Sequence, residues 1–290
     1  MDRRRVALAT SAALPSLTPD DRLVVDALAD LGIVGEAAIW SDTSVDWSAF
    51  DLVVLRSTWD YHRRPEAFEQ WTSDVATRTT LLNPLAAVRW NADKRYLADV
   101  AAAGLPIVPT VWLGPDDATD VPRQLMERGW SDAIVKPRIS ATAHRLHRIS
   151  ARDPDTAIRL AEDAIAGHGA LLQPFVPSVA EAGELSLVFL GDTFGHAVRK
   201  VPRSGEFRVQ HDYGGHEEAA AAGPAELELA RRSLALSPAP TLYARVDLVH
   251  DAAGDAQVME LELIEPALFF LLGPASARLM AERIRDWPLP

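Results

Sequence analysis

Two segments near the C-terminus carry the densest chemistry of the chain: Tyr243-Ala-Arg-Val-Asp-Leu-Val and Val258-Met-Glu-Leu-Glu-Leu-Ile-Glu-Pro266. They read as two β-strands joined by the polar turn Asp251-Ala-Ala-Gly-Asp255. Side chains alternate along a strand, so Met259, Leu261 and Leu263 point one way and Glu260 and Glu262 the other. A short turn brings Asp247 to the same level. Three carboxylates on one face, with Arg245 beside them, are costly unless a divalent cation neutralises them. Oxygen-only ligands favour Mg²⁺, which keeps some waters and accepts phosphate oxygens as further ligands. A solvated sheet face, where Glu is common, explains the hairpin alone equally well.

Basic residues stand where they can meet an anion. Lys136 ends the apolar strand Ala133-Ile-Val-Lys136, directly before Pro137, and Lys94 opens a helix. Either lysine alone is most often a surface residue. Arg138-Ile-Ser-Ala-Thr-Ala-His144 follows, a loop of small and hydroxylated residues whose backbone N–H groups can approach phosphates, although it lacks glycine. Arg199, Lys200 and Arg208 lie on consecutive expected strands and supply local positive charge. His211, Asp212 and Tyr213 before Gly214-Gly215 make a turn suited to substrate contacts. Gln173-Pro-Phe-Val176 ends another strand; with Glu181 and Glu184 after it, this segment offers an apolar slot for a purine and a carboxylate for ribose. Core packing explains Phe175 and Val176 equally well. No P-loop, G-x-G-x-x-G fingerprint or G-x-S-x-G elbow is present.

The elements that position these residues begin with an alternation of strand and helix. Val6–Thr10, Glu36–Trp40 and Asp51–Leu55 read as parallel strands, the last nearly all apolar. Between the first two runs an amphipathic helix from Asp20, closed by Gly32. Arg56-Ser-Thr-Trp-Asp-Tyr61 follows the third strand, at the carboxyl edge where open α/β sheets bind ligands; Arg56, Asp60 and Tyr61 are its candidate substrate contacts. A helix over 95–103, a strand over 105–110 and a helix over 155–166 come next. Beyond Pro177 the pattern is β-rich, with strands at 185–190, 193–201 and 206–209, and the insert 216–236 reads as helical.

The bulk numbers set limits. A chain of 290 residues, 48% hydrophobic and 24% charged, buries a substantial core in two or three lobes. Its net charge of −12 excludes a general nucleic-acid binder. The absence of cysteine removes thiol nucleophiles, disulfides and cysteine-ligated zinc, and fits a cytoplasmic protein. Arg3-Arg-Arg5 before Val6–Leu14 has the outline of a leader, but that segment serves better as a first strand. No apolar run approaches a membrane span.

In this order the motifs resemble the ATP-grasp superfamily, and the resemblance spans essentially the whole chain. It implies an α/β (α+β) ATP-grasp fold with an N-terminal Rossmann-like domain over 1–85, a central lobe over 86–173 and a C-terminal lobe with the metal site over 174–290. It implies ATP and Mg²⁺ as cofactors. Lys94 and Lys136 look like the phosphate lysines, Gln173, Phe175 and Val176 like the adenine hinge, and Glu181 like the ribose carboxylate. Asp247, Glu260 and Glu262 look like the Mg²⁺ ligands, and Arg245, with Arg199 in support, like the arginine that stabilises the transferring phosphoryl group. The metal strand departs from the usual Glu-x-Asn ending: Glu262 stands at the Asn position, and Glu265 is a rival ligand. Arg56–Tyr61, Phe207–Gln210 and Met259–Pro266 resemble an actinobacterial-type subgroup that includes an O-ureido-serine cyclo-ligase of cycloserine biosynthesis. The expected activity is an ATP-dependent C–N ligase or cyclo-ligase acting on a small amino-acid-like substrate. Joining two separate substrates, or nucleotide binding without catalysis, are the alternatives. A homodimer is expected from the same resemblance.

Overall fold

A computed structural model describes residues 3–209 and 213–288. Three sheets organise them. The first is parallel, in the order β2-β1-β3-β4, from β1 (Arg5–Thr10), β2 (Val34–Ile39), β3 (Leu52–Ser57) and β4 (Thr80–Leu82). Helices α1 (Pro19–Asp30), α2 (Pro65–Arg78) and α3 (Leu85–Ala92) accompany it. Thr18 caps α1 by accepting from the Asp21 N–H, and Pro19 occupies its first turn, where no intrahelical donor is lost. Every residue of β3 is buried, as an inner parallel strand requires.

After α4 (Tyr96–Ala102) comes a small antiparallel sheet, β5-β8-β6-β7. It contains β5 (Val111–Leu113), β6 (Asp132–Pro137), β7 (His147–Ser150) and β8 (Ala170–Pro174), with α5 (Val121–Arg128) and α6 (Pro154–Ile165) packed on it. Following α7 (Pro177–Ala182), the largest sheet runs β11-β10-β9-β12-β13, all antiparallel. Its strands are β9 (Glu184–Leu190), β10 (Thr193–Val201), β11 (His216–Ala220), β12 (Tyr243–His250) and β13 (Ala256–Glu262), with α8 (Pro224–Leu234) before β12. The chain returns to the first sheet through α9 (Pro274–Asp286), which shares a core with α1, β1 and β3. Among the described residues no helix is long and apolar enough to cross a membrane.

Three expectations are corrected. The segment 105–110 is not a strand: Ile107 makes one isolated bridge to Val258, and the strand begins at Val111. Pro106 and Pro109 explain this, since neither can donate to a ladder. Residues 206–209 form no strand. Part of the insert expected as helix, His216–Ala220, is instead the edge strand β11, paired with β10. The helix starts only at Pro224, after Gly223. Alanine-rich composition misled there because cross-strand pairing to β10 outweighs local propensity.

Two asparagines join the sheets. Buried Asn83 donates to the carbonyls of Tyr243 (2.9 Å) and Leu263 (2.6 Å) and accepts from the Leu242 N–H (2.6 Å). Asn91 donates to Leu261 O and accepts from Leu263 N–H, both at 2.8 Å. The Tyr96 hydroxyl accepts from the Leu261 N–H (3.0 Å), and the Tyr243 hydroxyl reaches the carbonyls of Leu55 (2.6 Å) and Ile264 (2.7 Å). The backbone that follows the acidic strand is therefore held from both sides.

Candidate active site

A cleft of about 400 Å³ opens between the three sheets. Its charged floor comes from β12 and β13. Asp247 lies opposite Glu260 and Arg245 opposite Glu262 in the register of the pair. That register shifts between Asp247 and Leu248, which leaves an extra residue on β13. The bulge corrects the simple alternation: Met259 joins Glu260 and Glu262 in lining the cleft, and Val258 takes its place in the apolar core with Leu261 and Leu263.

Each carboxylate of the floor already holds a cation. Asp247, 2% exposed, accepts from Lys200 Nζ (2.8 Å), from Arg245 Nε (2.9 Å) and Nη2 (3.0 Å), and from the Ser186 hydroxyl (2.6 Å). Burial works against its charge, yet Arg245 and Lys200 hold its carboxyl below the ordinary carboxylate range. Lys200 also meets Glu184 at 2.8 Å. Glu260 pairs with Lys94 at 3.0 Å, and Glu262 with Arg245. Burial pushes the Glu262 carboxyl up to about 7 against the pull of Arg245. Burial also pushes the Glu265 carboxyl well up, and Glu262 adds to it. Lys136, 5% exposed, has its ammonium pushed down by burial and lies 4.0 Å from Met259 Sδ.

Apolar and aromatic side chains line the rest. Ile134, Pro174, Phe175, Val176, Val179 and Met259 form a slot at one end. The Arg148 guanidinium lies 4.0 Å from the centre of the Phe175 ring and covers it. Trp59, Tyr61, Glu265, Ala267 and Phe269 belong to the segments that follow β3 and β13. Loop 138–146 contributes Ser140 to Ala143. Three of its non-glycine residues, Thr142 (φ 52°), Ala143 (φ 56°) and Arg145 (φ 53°), occupy the left-handed region that side chains disfavour. They make the turn for which glycine would be the usual choice. Lys94 Nζ donates to Ser140 O at 2.8 Å, and Arg138 pairs with Asp93, so the loop is moored to the residues around Lys94.

Comparison with known proteins fixes the family. Residues 6–83 match the family model for the N-terminal domain of D-cycloserine synthetase DcsG, and residues 118–264 match that for the ATP-grasp domain of prokaryotic glutathione synthetase. The chain is similar to the cycloserine biosynthesis protein DcsG of Streptomyces lavendulae, with 33% identity over 97% of this chain and 98% of that protein. It belongs to the DcsG family of ATP-grasp enzymes. The crystal structure of D-cycloserine synthetase DcsG superposes with a TM-score of 0.88, at 32% identity over 97% of this chain and 99% of that one. A more distant structure, the ATP-grasp ligase PsnB with a precursor variant, Mg and ADP, shares the fold at 19% identity and a TM-score of 0.67, over 98% of each chain. This ATP-grasp protein is an ATP-dependent ligase.

Of the residues singled out in sequence, the ATP-grasp cleft gathers Lys94, Lys136, Gln173, Phe175, Val176, Arg208, Arg245, Asp247, Glu260, Glu262 and Tyr61. Arg208 reaches it stacked 3.6 Å over the Tyr213 ring and paired with Glu206. Gln173 turns its amide to the Thr110 hydroxyl (2.9 Å). Four candidates lie elsewhere. Arg199 donates to Ala182 O on the other face of β10, because strand alternation gives the cleft to its neighbour Lys200. Glu181 is exposed on α7, and Glu184 of β9 is the carboxylate that lines the cleft. Asp60 accepts from Trp40 Nε1 (2.8 Å) and Arg64 (3.1 Å). Arg56 is buried behind the cleft, bound to Asp21 (2.8 Å) and to Pro266 O (3.0 Å). His211 and Asp212 lie outside the described residues.

Lys200, named with Arg199 as local positive charge, also lines the cleft, opposite Glu184 in the strand register. Of the residues not singled out, Trp59 carried a sequence signal, since it sits inside the loop after the third expected strand. Arg148 carried none, since its partner Phe175 follows a different strand, β8. The carboxylates expected as metal ligands are present, but Asp247 is bonded to two cations. Among the described residues no three acidic or imidazole groups stand together as a bare metal cage. Glu260 and Glu262 each pair with one cation and line the cleft, a donor set suited to a hard cation that brings its own waters and phosphates.

Proposed function

We propose that this ligase phosphorylates the carboxylate of O-ureido-D-serine and closes the five-membered ring of D-cycloserine. The full-length likeness to a D-cycloserine synthetase, N-terminal sheet and cleft included, is the observation that carries the reading. The units taken as N-terminal domain (1–85), central lobe (86–173) and C-terminal lobe (174–290) each contribute to the cleft under this proposal.

Adenine would enter the slot formed by Phe175, Val176, Val179, Ile134 and Met259. Its phosphates would then meet Lys94, Lys136, Lys200 and Arg245. Phosphoryl transfer needs charge neutralisation and alignment more than a covalent side-chain catalyst, and these four cations supply both. Glu260 and Glu262 would hold Mg²⁺, joined by Asp247 as phosphates draw Lys200 and Arg245 toward themselves; the ion supplies further neutralisation of the phosphate oxygens. A carboxylate oxygen of the substrate attacks the γ-phosphorus, ADP leaves, and an acyl phosphate results. The ureido nitrogen of the same molecule then displaces phosphate from the acyl carbon. Cycloserine carries no carbamoyl group, so that group departs by hydrolysis. Trp59, Tyr61 and Phe269 wall the cleft and limit competing attack by water on the acyl phosphate.

The test is ADP release from Mg-ATP with O-ureido-D-serine as sole substrate, with product mass read in parallel. ADP together with the mass of cycloserine is the expected result. ADP release only on addition of a second amine would replace the cyclo-ligase by a ligase of two separate substrates.

A further inference from the structure

Glu265 stands apart from the other acidic groups of the cleft. Glu184, Asp247, Glu260 and Glu262 each pair with Lys94, Lys200 or Arg245. Among the described residues Glu265 has no cationic side chain within ion-pair distance, although it lines the same cleft. Glu217 has none either, but it stands on β11, the outermost strand of its sheet, where water serves. Glu265 is enclosed. Its backbone carbonyl accepts from Trp59 Nε1 at 2.9 Å, and the next carbonyl, that of Pro266, accepts from Arg56 at 3.0 Å. These bonds fix the segment, and Trp59 and Tyr61 wall the cleft beside it.

A partly buried carboxylate without a cation is costly, and the missing partner defines what the site would take. An amino-acid substrate brings one cation, its ammonium group, and one anion, its carboxylate. The carboxylate belongs with Lys94, Lys136 and Arg245, where phosphoryl transfer takes place. That leaves the ammonium for the cleft's unpaired acid, and aromatic faces beside it add attraction for a cation. We propose that Glu265 determines specificity by receiving the substrate's ammonium group. The assignment rests on the reading of the substrate as a small amino acid. Glu265 thereby acts in substrate recognition rather than as a metal ligand.

The experiment compares wild type with Glu265→Gln in ADP release, using O-ureido-D-serine and its analogue with hydrogen in place of the α-amino group. Glu265→Gln is expected to raise KM for the amino substrate about 30-fold or more, the usual consequence of removing one partner of an enclosed charge pair. It is expected to erase the preference for the amino substrate over the analogue, and to leave the Mg²⁺ requirement and the KM for ATP within about twofold. A raised Mg²⁺ requirement with unchanged KM for the amino substrate would make Glu265 a metal ligand and overturn the proposal, as would no change in either. Wild type that ignores O-ureido-D-serine but turns over another α-amino acid defeats only the substrate reading, and the same comparison is then made on that amino acid. Wild type active only on substrates without an amine contradicts the role of Glu265 itself.

Discussion

Strand β13, on the floor of the cleft, hands its backbone groups to Asn91 and Tyr96, and the segment after it is bonded to Asn83, Tyr243, Trp59 and Arg56. Loop 138–146 lines the same cleft on other terms. Its internal bonds run from His144 N–H to Ala141 O and from Leu146 N–H to Ala143 O, and three non-glycine residues sit in left-handed geometry. Its moorings are Lys94 to Ser140, Asp93 to Arg138, Arg145 to Asp163, and the Arg138 backbone to Lys94 and Gly169. The Lys94 side chain is itself a candidate phosphate ligand. The floor is therefore built before ATP arrives, whereas the loop is held in part by a lysine for which the nucleotide competes. A ligase needs both: fixed groups where charge develops, and a segment able to admit the nucleotide and then exclude water.

The contrast can be broken most severely at the fixed charges of the cleft, of which Lys136 on β6 faces the floor. Lys136→Ala removes a buried cation from the phosphate end, and kcat should fall ~10²–10³-fold, the scale for losing one electrostatic donor. Circular dichroism should show the fold intact, since among the described residues Lys136 makes no ion pair within 4.0 Å. Asn91→Ala attacks the floor's mooring. It leaves the Leu261 carbonyl and the Leu263 N–H buried without partners and should cost about 2–4 kcal/mol in denaturant unfolding. Thr142→Pro acts on the loop alone, because proline fixes φ near −65° where the loop needs a positive value. The expected effect is a fall of roughly tenfold in kcat/KM for ATP with Tm moved by less than about 2 °C. A Thr142→Pro enzyme as destabilised as Asn91→Ala would erase the distinction between the two regions.

How much of this was legible in the sequence follows from where the signal lay. Strand period, apolar runs and the positions of Lys136, Asp247 and Glu260 are local, and they led to the floor and to the ATP-grasp resemblance. The bulge at Met259 was not legible, because it arises in the pairing of β13 with β12. Arg56 illustrates the same limit: its type and place at the carboxyl end of β3 suggested a ligand contact, but Asp21, 35 positions earlier, claims it. Lys200 and Arg199 were both read as local positive charge, but Arg199 was taken as the supporting arginine, since the period-two rule needs the face of β10 to be known. Asp60 was lost to Trp40 and Arg64, contacts that a linear reading gives no means to weigh.

The central claim, that this cleft activates a carboxylate by transferring the γ-phosphoryl group to it, is tested most directly with O-ureido-D-serine labelled with ¹⁸O in both carboxyl oxygens. Attack by the carboxylate followed by ring closure at the acyl carbon leaves one labelled oxygen on phosphate, so the inorganic phosphate released should carry a single ¹⁸O. Turnover that releases unlabelled phosphate would contradict carboxylate activation and require a different phosphorylated group.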